Sequence, residues 1–233
     1  MIDTTNLLWY SEISVEFLFC LYLVWTKVAK YYPVFTLCLG SSVLRSLAAM
    51  YFMRGAAVRP HLPLSYTYFW LWTEPFWLIL QVALALEVHT KMWKDYRAVL
   101  RRTCPLLIFA LVTALVAAAI PLRSEAAHGA ASQLIVVMHF GIQATRYISS
   151  VLAIFLLLSA LLFLATVRDV RANRVFQREG IMAAYFAVYA IAAFLIDTGL
   201  VRAIFVNGYF FSALTLCFVA WFSVFKPQPL PTQ

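Results

Sequence analysis

The chain has 233 residues, 64% of them apolar and only 12% charged, with a formal net charge of +8. A water-soluble domain is about half apolar and a quarter charged, so one core cannot hide this excess, and a soluble globular protein is excluded. The positive charge does not indicate nucleic acid, because the basic residues fall between apolar runs, where the positive-inside rule expects them.

Runs of about 18 or more mostly apolar residues recur along the whole chain, which predicts membrane spans. The expected fold is all-α, an integral membrane bundle of seven transmembrane helices forming one domain over residues 1–226. The spans lie near 6–25, 33–53, 64–89, 104–122, 132–167, 180–205 and 209–225, and a short Pro-rich tail, 227–233, follows. The first stretch has no basic start and no A-x-A site, so it is expected to stay as a helix rather than be cleaved.

The first span carries Glu12 and Glu16 one helical turn apart. The second carries Arg45 on a face with Ser42, Ser46 and Ala49. The third contains "FWLWTEPFWLIL", Phe69 to Leu80, with Glu74 and Pro75 in its greasiest part. Pro75 cannot donate to the carbonyl of Leu71, so a kink is expected there, with Glu74 beside it and Trp70, Trp72, Phe76 and Trp77 as apolar walls. Glu87, lower in the same span, precedes Lys91 at i, i+4 and is read as a local ion pair.

The fifth span is too long for a simple crossing: at 1.5 Å per residue it reaches roughly 54 Å, so it tilts, projects or breaks near Gly141. His139, Gln143, Arg146, Tyr147 and Ser150 form one stripe on its first half. In the sixth span Ala183, Ala187, Ala190, Ala193 and Asp197 share a narrow face suited to close packing. The seventh has no lysine for a retinal Schiff base and no paired histidines for zinc, and the chain has no GxSxG, HExxH or phosphate loop. The Pro-Gln of the tail lies outside any span, so it does not match PQ-loop transporters. No metal site and no cofactor are predicted. Cys20, Cys38, Cys104 and Cys217 read as packing residues, without CxxC spacing.

Charge in the connectors sets an expected orientation. Twelve Lys and Arg fall on the side of Lys27, Lys94, Arg171 and Lys226, and four (Arg54, Arg59, Arg123, Arg202) on the other. This places the N-terminus outside and the C-terminus in the cytoplasm of a plasma or bacterial inner membrane. The connector "KMWKDYRAVLRR" has apolar residues at helical spacing and reads as a helical extension on the anionic leaflet. The basic connectors 91–102 and 168–178 anchor the topology, or dock an acidic cytoplasmic or membrane protein partner.

Ionisable groups within spans are expensive and are candidate functional groups. Glu12, Glu16, Arg45, Glu74, Arg146 and Asp197 fall in the central and outer levels, so they are expected to converge with His139, Gln143 and Tyr147 around an aromatic-lined cavity. Four acids against two arginines leave surplus carboxyls that carry protons or face water. The expected function is a sensor or receptor-like binding module for a small molecule. A proton-coupled transporter using Glu12, Glu16, Glu74 or Asp197, or a structural subunit of a larger membrane complex, are alternatives. A further alternative makes Arg45 and Arg146 clamps of helix packing without any ligand.

Overall fold

The computed structural model describes residues 4–53, 64–127, 133–167, 170–200 and 203–224. Among them are seven α-helices: α1 (Thr4–Trp25), α2 (Pro33–Met53), α3 (Leu64–Met92), α4 (Arg97–Ala127), α5 (Gln133–Thr166), α6 (Val170–Thr198) and α7 (Ala203–Val224). A 3-10 turn, Val28–Lys30, joins α1 to α2. All seven helices are long and apolar enough to cross a membrane.

The helix ends depart from the hydropathy boundaries for identifiable reasons. Hydropathy marks where a helix becomes apolar, not where it begins, so α4 and α6 start in polar segments, at Arg97 and Val170. Gly199, with φ of 62°, adopts the left-handed conformation that terminates helices, and α6 therefore stops at Thr198 instead of running to residue 205. Gly141 makes no break: α5 is one helix of 34 residues, about 51 Å long at 1.5 Å per residue. Likewise α3 stays helical through Pro75.

The "KMWKDYRAVLRR" segment is not a single surface helix. α3 ends at Met92, a turn covers Trp93 to Asp95, and α4 begins at Arg97. Met92 and Trp93 are buried, and with Phe163 of α5 they form a small second core. The ring of Trp93 meets that of Phe163 edge-on at 5.2 Å. A tight reversal lets this corner bury its two largest apolar groups, which a helix lying on a surface would leave half-covered. Arg54, Arg59, Arg168, Arg202, the side chains of Arg123, Arg171 and Arg174, Lys226 and the tail lie outside what is described.

Packing places six helices in a closed ring, in the order α1, α2, α3, α5, α6, α7 and back to α1. α4 sits outside this ring and packs on α5. Cross-helix contacts show the alternation of direction. Phe52 at the end of α2 meets Phe69 near the start of α3 at 5.1 Å, and Trp9 near the start of α1 stacks on Phe211 of α7 at 6.0 Å. We call this the near end; the reversals at 26–32 and 93–96 lie at the far end.

The ring interior is aromatic. Phe19 (α1), Phe35 (α2), Tyr185 (α6) and Trp221 (α7) interlock, with ring separations of 6.2 Å for Phe19 to Trp221, 4.8 Å for Phe35 to Trp221 and 5.5 Å for Tyr185 to Trp221. Such pairs favour edge-on and offset geometries and contribute about 0.5–1.5 kcal/mol each beyond area burial. The most extensive helix pair is α5 with α6. Of the stripe of small residues on α6, Ala183 and Ala193 are buried, and Ala187 and Ala190 are half-buried.

Candidate functional site

The six charged residues expected to converge fall into three groups. In the first, Arg45 of α2 forms an ion pair with Glu74 of α3, its Nη2 donating to Glu74 Oε2. Thr145 of α5 donates to the other oxygen, Oε1, at 2.6 Å. One carboxylate thus ties three helices together. The guanidinium of Arg45 also lies over the Trp77 ring, 5.6 Å from its centroid, a favourable cation–π placement.

In the second group, Glu16 accepts a 2.8 Å hydrogen bond from Ser42 of α2. Glu12 and Glu16 are 3% and 1% exposed, and each keeps one oxygen, Oε2, without a hydrogen-bond partner. Tyr189 of α6 stands within electrostatic reach of Glu12, Glu16 and Arg45, and so links this group to the first. Its ring centroid is 6.4 Å from that of Trp77.

The third group joins α5 to α6 toward the near end. Asp197 accepts from Arg146 Nη1 at 2.7 Å and from Gln143 Nε2 at 2.6 Å, and His139 Nε2 lies 3.0 Å from its Oδ1. The Arg146 guanidinium is covered by Phe194 at 4.7 Å and Tyr147 at 5.3 Å. The stripe on α5 therefore converges on one acceptor. Ser150, its last member, instead donates to the Arg146 carbonyl of its own helix at 2.7 Å.

The space beside Glu16, between Phe35, Trp77, Tyr185 and Trp221, has no room for water. Open space lies elsewhere. A cavity of about 410 Å³ separates α3 from α4, with α5 behind it. Glu74 and Pro75 line it, together with Trp70, Ile79, Leu115 and Val137. Among the described residues Glu74 is its one ionisable lining residue; the described lining is otherwise almost wholly hydrocarbon.

Trp72 separates from Trp70 and Trp77 because two helical steps of about 100° turn it to the opposite side of α3, whereas Trp70 and Trp77, seven residues apart, differ by only about 20°. Trp70 lines the cavity, and Trp77 faces the ring interior at 4% exposure. Trp72 does neither: it is 77% exposed, and so is Phe76 at 72%. Trp70 reaches its place because Gly141 lets it. A β-carbon at 141 would stand 2.7 Å from Cη2 of the Trp70 indole. Gly141 thus serves close approach rather than helix breaking.

No protein-family model, curated protein or solved structure matches this chain. What the site can do therefore rests on its own chemistry.

Three further polar features go beyond what the sequence marks, although the Glu87–Lys91 pair itself is as expected. Glu87 accepts the backbone N–H of Phe35 at 2.9 Å and of Val34 at 3.3 Å, besides pairing with Lys91 at 3.1 Å. His89, fully buried, lies 2.8 Å from Ser159 and 2.9 Å from Thr103. A Ser–His contact of this length occurs in activated nucleophiles. Here the Ser159 hydroxyl also accepts Trp93 Nε1 at 2.9 Å, and both residues are closed off, so the arrangement ties α3, α4 and α5 together. Glu179 is 1% exposed and neither of its oxygens has a partner. Its position nine residues into α6 became visible only once that helix was seen to start at Val170. Among the described residues no three His, Cys, Asp or Glu side chains gather as metal ligands do.

Proposed function

We propose that the chain is a seven-span integral membrane protein, N-terminus outside and C-terminus cytoplasmic, that acts as a sensor or receptor-like binding module. Its ligand occupies the cavity between α3, α4 and α5. The observation that carries this reading is the cavity beside the Arg45–Glu74 pair. A volume of about 410 Å³ lies within the roughly 300–1,000 Å³ of small-molecule sites. Glu74 is wired to α2 through Arg45 and to α5 through Thr145, so a ligand that touches its carboxylate acts on the junction of three helices. A ligand shifts such a junction only by its difference in affinity for two arrangements, and a shared carboxylate supplies that difference. The exposed basic groups of the far end, Lys94, Arg97, Arg101 and Arg102, are the proposed face toward a cytoplasmic or membrane partner.

One observation favours proton-coupled transport as the second reading: Glu12, Glu16 and Glu179 are buried with unpartnered carboxylate oxygens. Buried acids of this kind serve as proton carriers in membrane transporters. The two readings separate in proteoliposomes. A binding module gives ligand-dependent thermal stabilisation, weakened in Glu74→Gln, and no solute uptake under a pH gradient. Uptake that follows the pH gradient and disappears in Glu16→Gln rejects the binding module in favour of the transporter.

A further inference from the structure

The chemistry of the cavity wall restricts what fills it, granted the binding reading above. Its mouth is framed by side chains on the outside of the bundle: Ile79 is 66% exposed, Val137 50% and Leu115 42%. In a bilayer that mouth opens sideways, between α3 and α4, into hydrocarbon. An occupant arriving that way is dissolved in the membrane.

Apart from the Trp70 indole N–H, the polar groups at the wall are acceptors. Glu74 has about four lone-pair positions on its carboxylate, of which Arg45 and Thr145 occupy two. Leu71 also lines the cavity, and Pro75 denies its carbonyl the usual donor at i+4. An occupant with a hydrogen-bond donor therefore satisfies groups that hydrocarbon alone leaves bare.

Net charge sets the other limit. The Glu74 carboxylate is already neutralised by Arg45, and among the described residues no other ionisable one lines the cavity. A cationic headgroup would leave one uncompensated positive charge in an apolar space. An anionic one would face the Glu74 carboxylate directly. Either is strongly unfavourable away from water.

We infer that the α3–α4–α5 cavity binds an uncharged, membrane-dissolved amphiphile with a hydrocarbon body and a hydroxyl group that donates to Glu74. The hydrocarbon lies along Ile79, Val82 and Leu115, and the hydroxyl sits at Glu74 beside Pro75. Trp70, seated on Gly141, forms part of the wall and so contributes to the shape the site accepts.

The test uses the full chain in lipid nanodiscs and four radiolabelled probes of equal length: dodecanol, dodecane, dodecanoic acid and dodecylamine. Binding is read as the saturable excess over protein-free nanodiscs. Dodecanol is expected to saturate one site about tenfold more tightly than dodecane, the lower end of the scale of one hydrogen bond to a charged group. The double variant Ile79→Phe/Val137→Phe changes two exposed positions at the mouth; with its unfolding midpoint matched to the parent's, it is expected to abolish that excess, and undiminished binding in it overturns the site. Dodecane binding as tightly as dodecanol overturns the hydroxyl recognition. Tightest binding of the acid or the amine overturns the requirement for neutrality. In both cases the binding module itself stands. Saturable binding of none of the four overturns this inference, and if the chain's own membrane extract also gives no thermal stabilisation, the binding module falls with it.

Discussion

The side chain of Glu87 on α3 caps the first turn of α2, accepting the backbone N–H of Phe35 at 2.9 Å across more than fifty residues of sequence. The first four N–H groups of a helix lack partners within it, and a carboxylate there satisfies them and opposes the helix dipole. Pro33 opens α2 and has no N–H to satisfy, so Val34 and Phe35 present the donors and Glu87 takes both. Lys91 completes the set, 3.1 Å from Glu87 and 4.1 Å above the Tyr32 ring, whose hydroxyl accepts from Arg178 at 3.2 Å. Glu87→Ala is expected to lower stability by about 1–2 kcal/mol, the scale of a lost helix cap, and Glu87→Gln by less. Thermal unfolding in detergent measures it. Equal stability of Glu87→Ala and the parent rejects the cap.

Gly141 and Trp70 are a matched pair. Gly141→Ala puts a methyl group 2.7 Å from Trp70 Cη2, so the indole must move. Overpacking of this kind costs about 1–3 kcal/mol. Trp70→Leu removes the obstacle, and Gly141→Ala in that background is expected to be nearly neutral, since alanine is also the better helix former. The double-mutant cycle on unfolding midpoints decides. Additive effects mean that the two residues do not meet as described.

Ser159 serves two buried partners, His89 Nδ1 at 2.8 Å and Trp93 Nε1 at 2.9 Å. Ser159→Ala orphans both, at about 1–3 kcal/mol for each buried group left unsatisfied. Ser159→Thr keeps the hydroxyl and is expected to retain most of the stability. Hydrogen exchange at the 93–96 turn gives a local readout, faster in the alanine variant. Unchanged exchange there argues against the tie between α3 and α5.

Arg146 and Asp197 hold α5 against α6. Asp197→Asn is expected to destabilise because it leaves a guanidinium in an apolar setting with a neutral partner. Arg146→Gln relieves that loss, so the pair is expected to couple by about 0.5–3 kcal/mol in a double-mutant cycle. Gln143→Leu removes one donor to Asp197 and is expected to cost less, since Arg146 and His139 remain. Zero coupling between Arg146 and Asp197 contradicts the ion pair.

Some relations within the site could be read along one helix. His139, Gln143 and Arg146 fall on one face by steps of three and four, and they do converge. Others had no signal in one dimension. Thr145 points away from that stripe toward Glu74, and the choice of Glu74 for Arg45 and Asp197 for Arg146 is a choice among several acids at similar depths. Trp72 looked like a wall because it neighbours Glu74 in sequence, yet the helical step turns it outward.

Composition and run length settled the number and type of elements, because a chain this apolar has few ways to satisfy its backbone except as long helices, and each helix announces itself locally. Which helices neighbour each other is not local. The exclusion of α4 from the ring, the aromatic filling of the middle and the opening between α3 and α4 arise from side chains meeting across tens of residues. Close packing of shapes such as Trp70 on Gly141 decided those, and periodicity along a single helix carries no record of its partner.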